Sequence, residues 1–190
     1  MDQLATLEYA LEELRGVVAR LDDAHMDIVT NCEPWTVRRL ASHALNNQLL
    51  WAGLVTGQEL VSAEDTMGAV PIGGNLIPVA DQIVERALAM WGTDGVLEAT
   101  HATPFGELPG SVVVNFPTVD AIMHAWDLSA SVSHPIEFRP AAIPAISAVV
   151  EATCTDEARA AGLIRPPTKP PADSSATERL VAAAGRSTRL

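Results

Sequence analysis

Aromatic side chains and positive charge are both scarce in this sequence of 190 residues. Aromatic residues make up 4% of the chain, which disfavours a β-sandwich or β-barrel. Lysine and arginine number 12 against 24 aspartates and glutamates, so the formal net charge is −12. Nucleic-acid-binding proteins normally have a basic face, and anionic membranes attract basic segments. The sequence therefore predicts no nucleic-acid partner and no membrane partner.

Cysteines and long apolar runs are also few. Cys32 and Cys154 lie far apart and form no CxxC pair, which does not match a secreted disulfide framework. We expect both to be buried thiols. No stretch reaches about 18 uninterrupted apolar residues, and the acidic N-terminus lacks the basic and apolar regions of a signal peptide. These absences predict a cytoplasmic protein.

Apolar residues recur at helical spacing along most of the chain, which has a hydrophobic content of 48%. The pattern predicts helices over about residues 3–22, 37–57, 79–91, 118–131, 139–161 and 175–184. Residues 62–77 and 100–110 are rich in glycine and proline and predict loops. We expect an all-α protein, an up-and-down four-helix bundle with long loops. The length predicts one domain over residues 1–190, with the bundle over about 1–162 and a Pro-rich arm with a short helix over 163–190.

The segment before the fourth long helix permits two conformations. Residues 112–114 are three consecutive valines, which suit either a short strand or the first turn of a helix. Pro117 cannot lie inside a helix without removing a hydrogen bond. Either the helix begins near Asn115, with Pro117 in its first turn, or it kinks at Pro117.

Three ionisable residues share one face of that helix. Asp120 and His124 differ by about 40° around the axis and lie about 6 Å apart along it, and Asp127 follows seven residues after Asp120. A carboxylate and a histidine at this spacing can bind one cation, and both suit first-row metals. A His–Asp hydrogen bond within the helix, or a capping carboxylate, is the commoner explanation of this spacing taken alone.

A further histidine, His43, lies within an apolar stretch of the predicted second helix. It suits either a buried, hydrogen-bonded histidine or a metal ligand facing the bundle interior. Two histidines and one carboxylate from facing helices would form an open three-ligand site. We expect the remaining histidines, His25, His101 and His134, to face solvent, and the four tryptophans to lie in the core.

Four segments carry a resemblance to a known family. Residues 34–43 are similar to a helix start of the form W-[ST]-V-x-x-L-x-x-H, and residues 120–128 to E-x-x-x-H-x-W-D-L. Residues 103–110 resemble the loop before the third bundle helix, and the Pro-rich tail with Gly185-Arg186 resembles the family's C-terminal arm. Together they resemble DinB-like metal-binding domains, in particular the actinobacterial branch around mycothiol-dependent maleylpyruvate isomerase.

The resemblance implies a four-helix bundle in which His43, Asp120 and His124 hold a divalent metal, with Zn, Ni, Fe and Mn not distinguished. It places Asp127 beside the site, where it would orient a ligand histidine or act as a base. The family usually has Glu at the position of Asp120, and its members tend to have an unbroken helix at the position of Pro117.

Three functions follow from the resemblance. The first is a metal-dependent enzyme that uses a low-molecular-weight thiol such as mycothiol as co-substrate, in isomerase or transferase chemistry on a small molecule. The second is a metal- or ligand-binding bundle without catalysis. The third is a structural or dimerisation bundle with a degenerate site. Whether the chain is an enzyme, and whether it forms a homodimer, stays open from the sequence.

Overall fold

The computed structural model of the chain describes residues 1–68 and 70–188. Most of these residues are helical, and two short strands form an antiparallel sheet. In chain order the elements are α1 (Gln3–Val18), a 3-10 helix (Asp23–His25), α2 (Val37–Thr56), α3 (Ala63–Thr66), α4 (Leu76–Trp91), β1 (Thr100–Thr103), β2 (Gly106–Pro109), α5 (Gly110–Val113), α6 (Asn115–Ser131), α7 (Ile143–Thr153), α8 (Asp156–Ala160) and α9 (Ala176–Ala183).

Side-chain caps determine where the first two long helices begin. Asp2 accepts a hydrogen bond from the Ala5 amide at 2.8 Å, and Thr36 caps the N-terminus of α2. Such caps satisfy amides that have no partner inside the helix. The first helix ends at Val18 rather than near residue 22, because the Asp22 side chain accepts from the Ala24 amide and starts a separate turn.

Four long helices enclose the core. Helices α1 and α2 each pack against both α4 and α6. Leu7, Leu11 and Leu14 of α1 are fully buried, as is Leu45 of α2. Their spacing of three and four residues places them on one helix face, and the burial of that face supplies most of the stability of such helices.

The prediction that residues 100–110 form a loop is wrong, because they form a β-hairpin. Strands β1 and β2 pair antiparallel, with Thr103 opposite Gly106. The Thr103 hydroxyl accepts from the Phe105 amide at 3.1 Å and donates to the Gly106 carbonyl at 2.7 Å. Glycine and proline mark hairpin turns as well as loops, so the composition did not distinguish the two. The all-α prediction is corrected accordingly: the protein is mostly helical with a small sheet.

The valine run before α6 is helical. Helix α5 includes Val112 and Val113, and Val114 keeps right-handed helical geometry before α6 begins at Asn115. Pro117 is the third residue of α6 and therefore lies in its first turn, where a missing amide costs little. Asp120 and His124 both follow Pro117 within the same helix, so no break separates them.

The C-terminal part contains a division that the helical pattern did not predict. The helix expected over residues 139–161 is two helices, α7 and α8, because Thr155 caps a new helix and accepts from the Ala158 amide at 3.2 Å. Between α8 and α9 the chain has neither helix nor strand. This segment lies against α9, since the Thr168 amide donates to the Ala182 carbonyl at 2.9 Å.

Within residues 1–68 and 70–188, no helix combines the length and apolar character needed to cross a membrane.

Candidate metal centre

Helices α2 and α6 bring together the three residues that the sequence predicted as metal ligands. His43 Nε2 lies 3.3 Å from Asp120 Oδ2. His124 Nε2 lies 3.5 Å from the same oxygen. The three side chains are 12–14% exposed, so the cluster is largely shielded from water. The shorter aspartate at position 120 therefore still reaches both imidazoles.

The other nitrogen of each imidazole determines what Nε2 can do. His43 Nδ1 pairs with the main-chain carbonyl of Thr66, at the end of α3. His124 Nδ1 lies 3.0 Å from Asp127 Oδ2. A carbonyl and an ionised carboxylate can only accept hydrogen bonds, so both Nδ1 atoms carry a proton. In a neutral imidazole the Nε2 atom is then unprotonated.

When both imidazoles are neutral, two Nε2 lone pairs and one carboxylate oxygen thus converge on one point. Such a set of lone pairs suits a cation. In a tetrahedral zinc site with bonds of about 2.0–2.2 Å, neighbouring ligand atoms lie about 3.3–3.6 Å apart. The two N···O distances of 3.3 and 3.5 Å match this separation. The residues present therefore fit a divalent metal of the first transition row.

The electrostatics of the cluster follow from its charges. Burial lowers the pKa of His43, but the Asp120 carboxylate and the bonds to Asp120 and Thr66 outweigh it, so the pKa is raised. Burial raises the pKa of Asp120, but the neighbouring His124 and His43 outweigh it, so the pKa is lowered. The second oxygen of Asp120 accepts from Gln48 Nε2 at 3.3 Å. Asp120 is therefore an ionised, oriented carboxylate at neutral pH.

Asp127 lies behind His124 and is fully buried. Asn31 Nδ2 donates to its Oδ1 at 2.8 Å, and Arg186 Nη2 donates to its Oδ2 at 3.1 Å. Burial raises the pKa of Asp127, but the Arg186 charge and the bond to His124 outweigh it, holding the pKa well below its usual range. Asp127 is thus a charged hydrogen-bond acceptor that fixes the orientation of His124.

Cys32 also contacts Asp127, with Sγ 3.4 Å from Oδ2. Burial, with the Asp127 charge, raises the pKa of Cys32 to about 12, so it is a thiol at neutral pH. Cys32, His124 and Asp127 lie close enough to share a cation. Arg186 already neutralises Asp127, however, and His124 Nδ1 carries a proton there, so this second group does not fit a metal. Cys154 is buried as expected, whereas Cys32 is only half-buried.

Sequence reasoning did not identify Asn31, Cys32 or Arg186 as neighbours of the site. Arg186 was noted only as part of the Gly185-Arg186 pair in the tail. Asn31 and Cys32 lie in the turn before α2, and no helical spacing relates them to α6. A buried aspartate needs hydrogen-bond donors to its carboxylate. The expected position of Asp127 beside His124 was therefore the one signal that residues such as Asn31 and Arg186 contact it.

Trp35 lies beside the cluster, and further contacts attach neighbouring segments to α2 and α6. The Trp35 ring lies 4.7 Å from that of His43. The loop predicted over residues 62–77 is wrong in part, because it contains the short helix α3 and α4 begins at Leu76. Ile72, between these two helices, is attached to α2: Ser42 Oγ accepts from its amide at 2.8 Å and Arg38 donates to its carbonyl at 3.0 Å. On the hairpin, the Phe105 ring lies 5.3 Å from Phe116, in the first turn of α6.

The remaining histidines and tryptophans only partly follow the predictions. His134 is exposed, as expected. His25 and His101 are partly buried rather than solvent-facing: His25 accepts from the Asp22 amide, and His101 Nε2 lies 2.7 Å from the Val96 carbonyl. Three tryptophans are core residues, and Trp35 is half-buried beside His43. The buried tryptophans are Trp51, Trp91 and Trp126.

A match to a known family includes this cluster. Residues 7–129, well over half of the chain, match the family described as the mycothiol maleylpyruvate isomerase N-terminal domain.

The chain belongs to this family.

The matched stretch contains His43, Asp120, His124 and Asp127, whereas Arg186 lies beyond it.

Relatives and solved structures agree with membership of the mycothiol maleylpyruvate isomerase N-terminal domain family. Two uncharacterized proteins from two strains of Mycobacterium tuberculosis are 28% identical over 145 residues, which is 74% of this chain and 72% of each relative. The crystal structure of the mycothiol-dependent maleylpyruvate isomerase superposes with a TM-score of 0.64 at 18% identity. A histidine-to-alanine mutant of that enzyme gives 0.67 at 19%. Both matches cover 84% of this chain and 71% of the other, which shows a shared fold.

Proposed function

We propose that the protein binds one divalent metal ion through His43, Asp120 and His124 and uses it with a low-molecular-weight thiol such as mycothiol. The observation that carries this proposal is the convergence of two Nε2 atoms on one carboxylate oxygen, with each Nδ1 facing a hydrogen-bond acceptor. His43, Asp120 and His124 would hold the metal, which would lower the pKa of a coordinated thiol so that the thiolate forms at neutral pH. The similarity to a mycothiol-dependent isomerase supports the choice of thiol.

The chain's own residues have separate roles in this proposal. The Thr66 carbonyl and Asp127 hold the two imidazoles in the tautomer that a metal requires. Asp120 supplies the one carboxylate ligand. Of the two roles predicted for Asp127, its complete burial and its bond to Arg186 favour orienting His124 over acting as a base. Cys32 stays protonated and leaves thiolate chemistry to the small thiol.

The wider assignments rest on the resemblance and the fold. The reaction proposed is an isomerisation or transfer on a small molecule, in the manner of the solved relatives' name. We also propose one domain over residues 1–190, with α1, α2, α4 and α6 forming an up-and-down four-helix bundle over about residues 1–162 and a Pro-rich arm over 163–190. A cytoplasmic location and a homodimer stay predictions from the sequence.

Thiol binding distinguishes this proposal from a metal-binding bundle without thiol chemistry. Mycothiol would be titrated calorimetrically into the zinc-loaded chain, the metal-free chain and His43→Ala. We expect binding to the zinc-loaded wild type only, with release of a proton as the thiolate forms. Equal binding to the metal-free chain, or none to the loaded one, would contradict the thiol proposal. The second outcome would favour a bundle that binds metal alone.

A further inference from the structure

We propose that Arg186 is a positioning residue of the metal centre, which holds Asp127, and through it His124, from the C-terminal arm. This inference rests on the metal-binding function proposed above. The guanidinium Nη2 lies 3.1 Å from Asp127 Oδ2, and Nε lies 3.3 Å from Oδ2 and 3.4 Å from Oδ1. Two nitrogens of one planar guanidinium thus contact the carboxylate and reach both of its oxygens. A lysine ammonium, a single charge on a flexible stem, would restrain the carboxylate plane less.

The local sequence directs Arg186 toward the site. Helix α9 is followed by Gly185 with φ of +86°. The Gly185 amide donates to the Ala182 carbonyl at 3.0 Å, and the Arg186 amide donates to the Val181 carbonyl at 2.9 Å. These two bonds form a Schellman motif, in which glycine takes the left-handed position and the next residue leaves the helix in a defined direction. The residue leaving α9 here is Arg186.

The arm contacts both donors to Asp127. At Gly185, a Cβ would lie 2.6 Å from the Arg165 carbonyl oxygen, so the arm passes directly against the turn that presents Arg186. Arg165 Nη1 in turn donates to the Asn31 carbonyl at 3.2 Å. Asn31 and Arg186, which both donate to Asp127, are therefore held by the same segment.

The hydrogen bonds at Asp127 show what removal of Arg186 would do. His124 Nδ1 and Arg186 both donate to Oδ2, and Asn31 donates to Oδ1. Without the guanidinium, Asn31 still donates to Oδ1 and the weak Cys32 donor to Oδ2, but the buried carboxylate loses the cationic partner that neutralises it and its strongest donor on Oδ2 besides His124. The carboxylate, and with it the His124 imidazole, is then held less firmly. Partners of this kind typically change metal affinity about 10- to 100-fold.

The experiment is a zinc titration of the full chain against a chromophoric chelator. Arg186→Met removes the donor fork, and Arg186→Lys keeps the charge but loses the fork. Arg179→Met is the matched control, because Arg179 also projects from α9 and donates to a carbonyl of the arm, that of Ser174, without touching Asp127. We expect the zinc Kd to rise about 10- to 100-fold in Arg186→Met, less in Arg186→Lys, and not in Arg179→Met. Equal Kd values in Arg186→Met and Arg179→Met would overturn the proposal.

A second measurement separates this inference from the proposed function. The nitrogen-15 shifts of His124 in the metal-free chain report which ring nitrogen carries the proton. We expect Nδ1–H in wild type and Arg179→Met, and a mixture of tautomers in both Arg186 variants. If wild type binds no zinc, the metal proposal fails, and the tautomer still decides whether Arg186 positions His124. If Arg186→Met melts too low for titration, the zinc Kd and the His124 tautomer are both measured in Arg186→Lys. A His124 tautomer in Arg186→Lys that equals that of wild type overturns the inference.

Discussion

Replacing Gly185 with alanine should destabilise the protein more than the same change at another left-handed glycine. Gly185 has φ of +86°, and Gly57, which ends α2, has φ of +69°. Alanine in the left-handed region costs roughly 1–2 kcal/mol at either position. At Gly57 a Cβ would have no atom within 4 Å, whereas at Gly185 it would lie 2.6 Å from the Arg165 carbonyl oxygen.

The close approach at Gly185 supplies the difference. A main-chain carbonyl cannot move aside as the end of a flexible side chain can, and overpacking of this kind costs about 1–3 kcal/mol. We therefore expect Gly185→Ala to lower the free energy of unfolding by about 2–5 kcal/mol and Gly57→Ala by about 1–2 kcal/mol.

Urea denaturation of the metal-free chains would measure both values, because bound metal would add its own binding energy to the native state. A zinc titration of the same variants should show weaker binding in Gly185→Ala only, since that change displaces the turn carrying Arg186. Equal losses of stability in the two variants would refute the argument that the arm packs against this turn.

The remaining predictions concern a cysteine and two helical glycines. In a Cys154→Ala background, Cys32 should be alkylated at pH 8 on the order of a thousandfold more slowly in the native chain than in urea. The reason is its raised pKa of about 12, which leaves little thiolate in the native chain. Equal alkylation rates, followed by mass spectrometry, would contradict this. Gly110→Ala should lower the melting temperature, because a Cβ would lie 2.0 Å from the Val96 carbonyl oxygen. Gly16→Ala, within α1 and with open space at its Cβ, should instead stabilise by about 0.5–1 kcal/mol. A loss of stability at Gly16 or none at Gly110 would contradict the packing described.

Local spacing was enough to predict one half of the candidate site. Asp120 and His124 are four residues apart on one helix, so their proximity follows from helix geometry alone. Pro117 did not disturb them, because it lies in the first turn, before both residues. The position of His43 could not be predicted from spacing within one helix, because only the packing of α2 against α6 brings it to Asp120. Reasoning from the residues left His43 open between a buried histidine and a metal ligand, and the family resemblance implied its pairing with Asp120 and His124.

The contacts behind His124 could not be predicted from the sequence. Arg186 lies 59 residues from Asp127, and its direction depends on the left-handed turn at Gly185 and on the arm beside it. Neither feature appears in a periodic pattern. The hairpin at residues 100–110 was missed for a related reason, because pairing between two short strands depends on the turn and on neighbours as much as on composition.

Metal content decides whether His43, Asp120 and His124 bind a divalent metal. The full chain would be purified without a histidine tag, and its metals measured by mass spectrometry, alongside His124→Ala and the control His134→Ala, whose histidine is exposed. We expect close to one divalent metal per chain in wild type and His134→Ala, and loss of that metal in His124→Ala. No metal in wild type, and none after incubation with Zn²⁺, Ni²⁺ or Mn²⁺, would contradict this expectation.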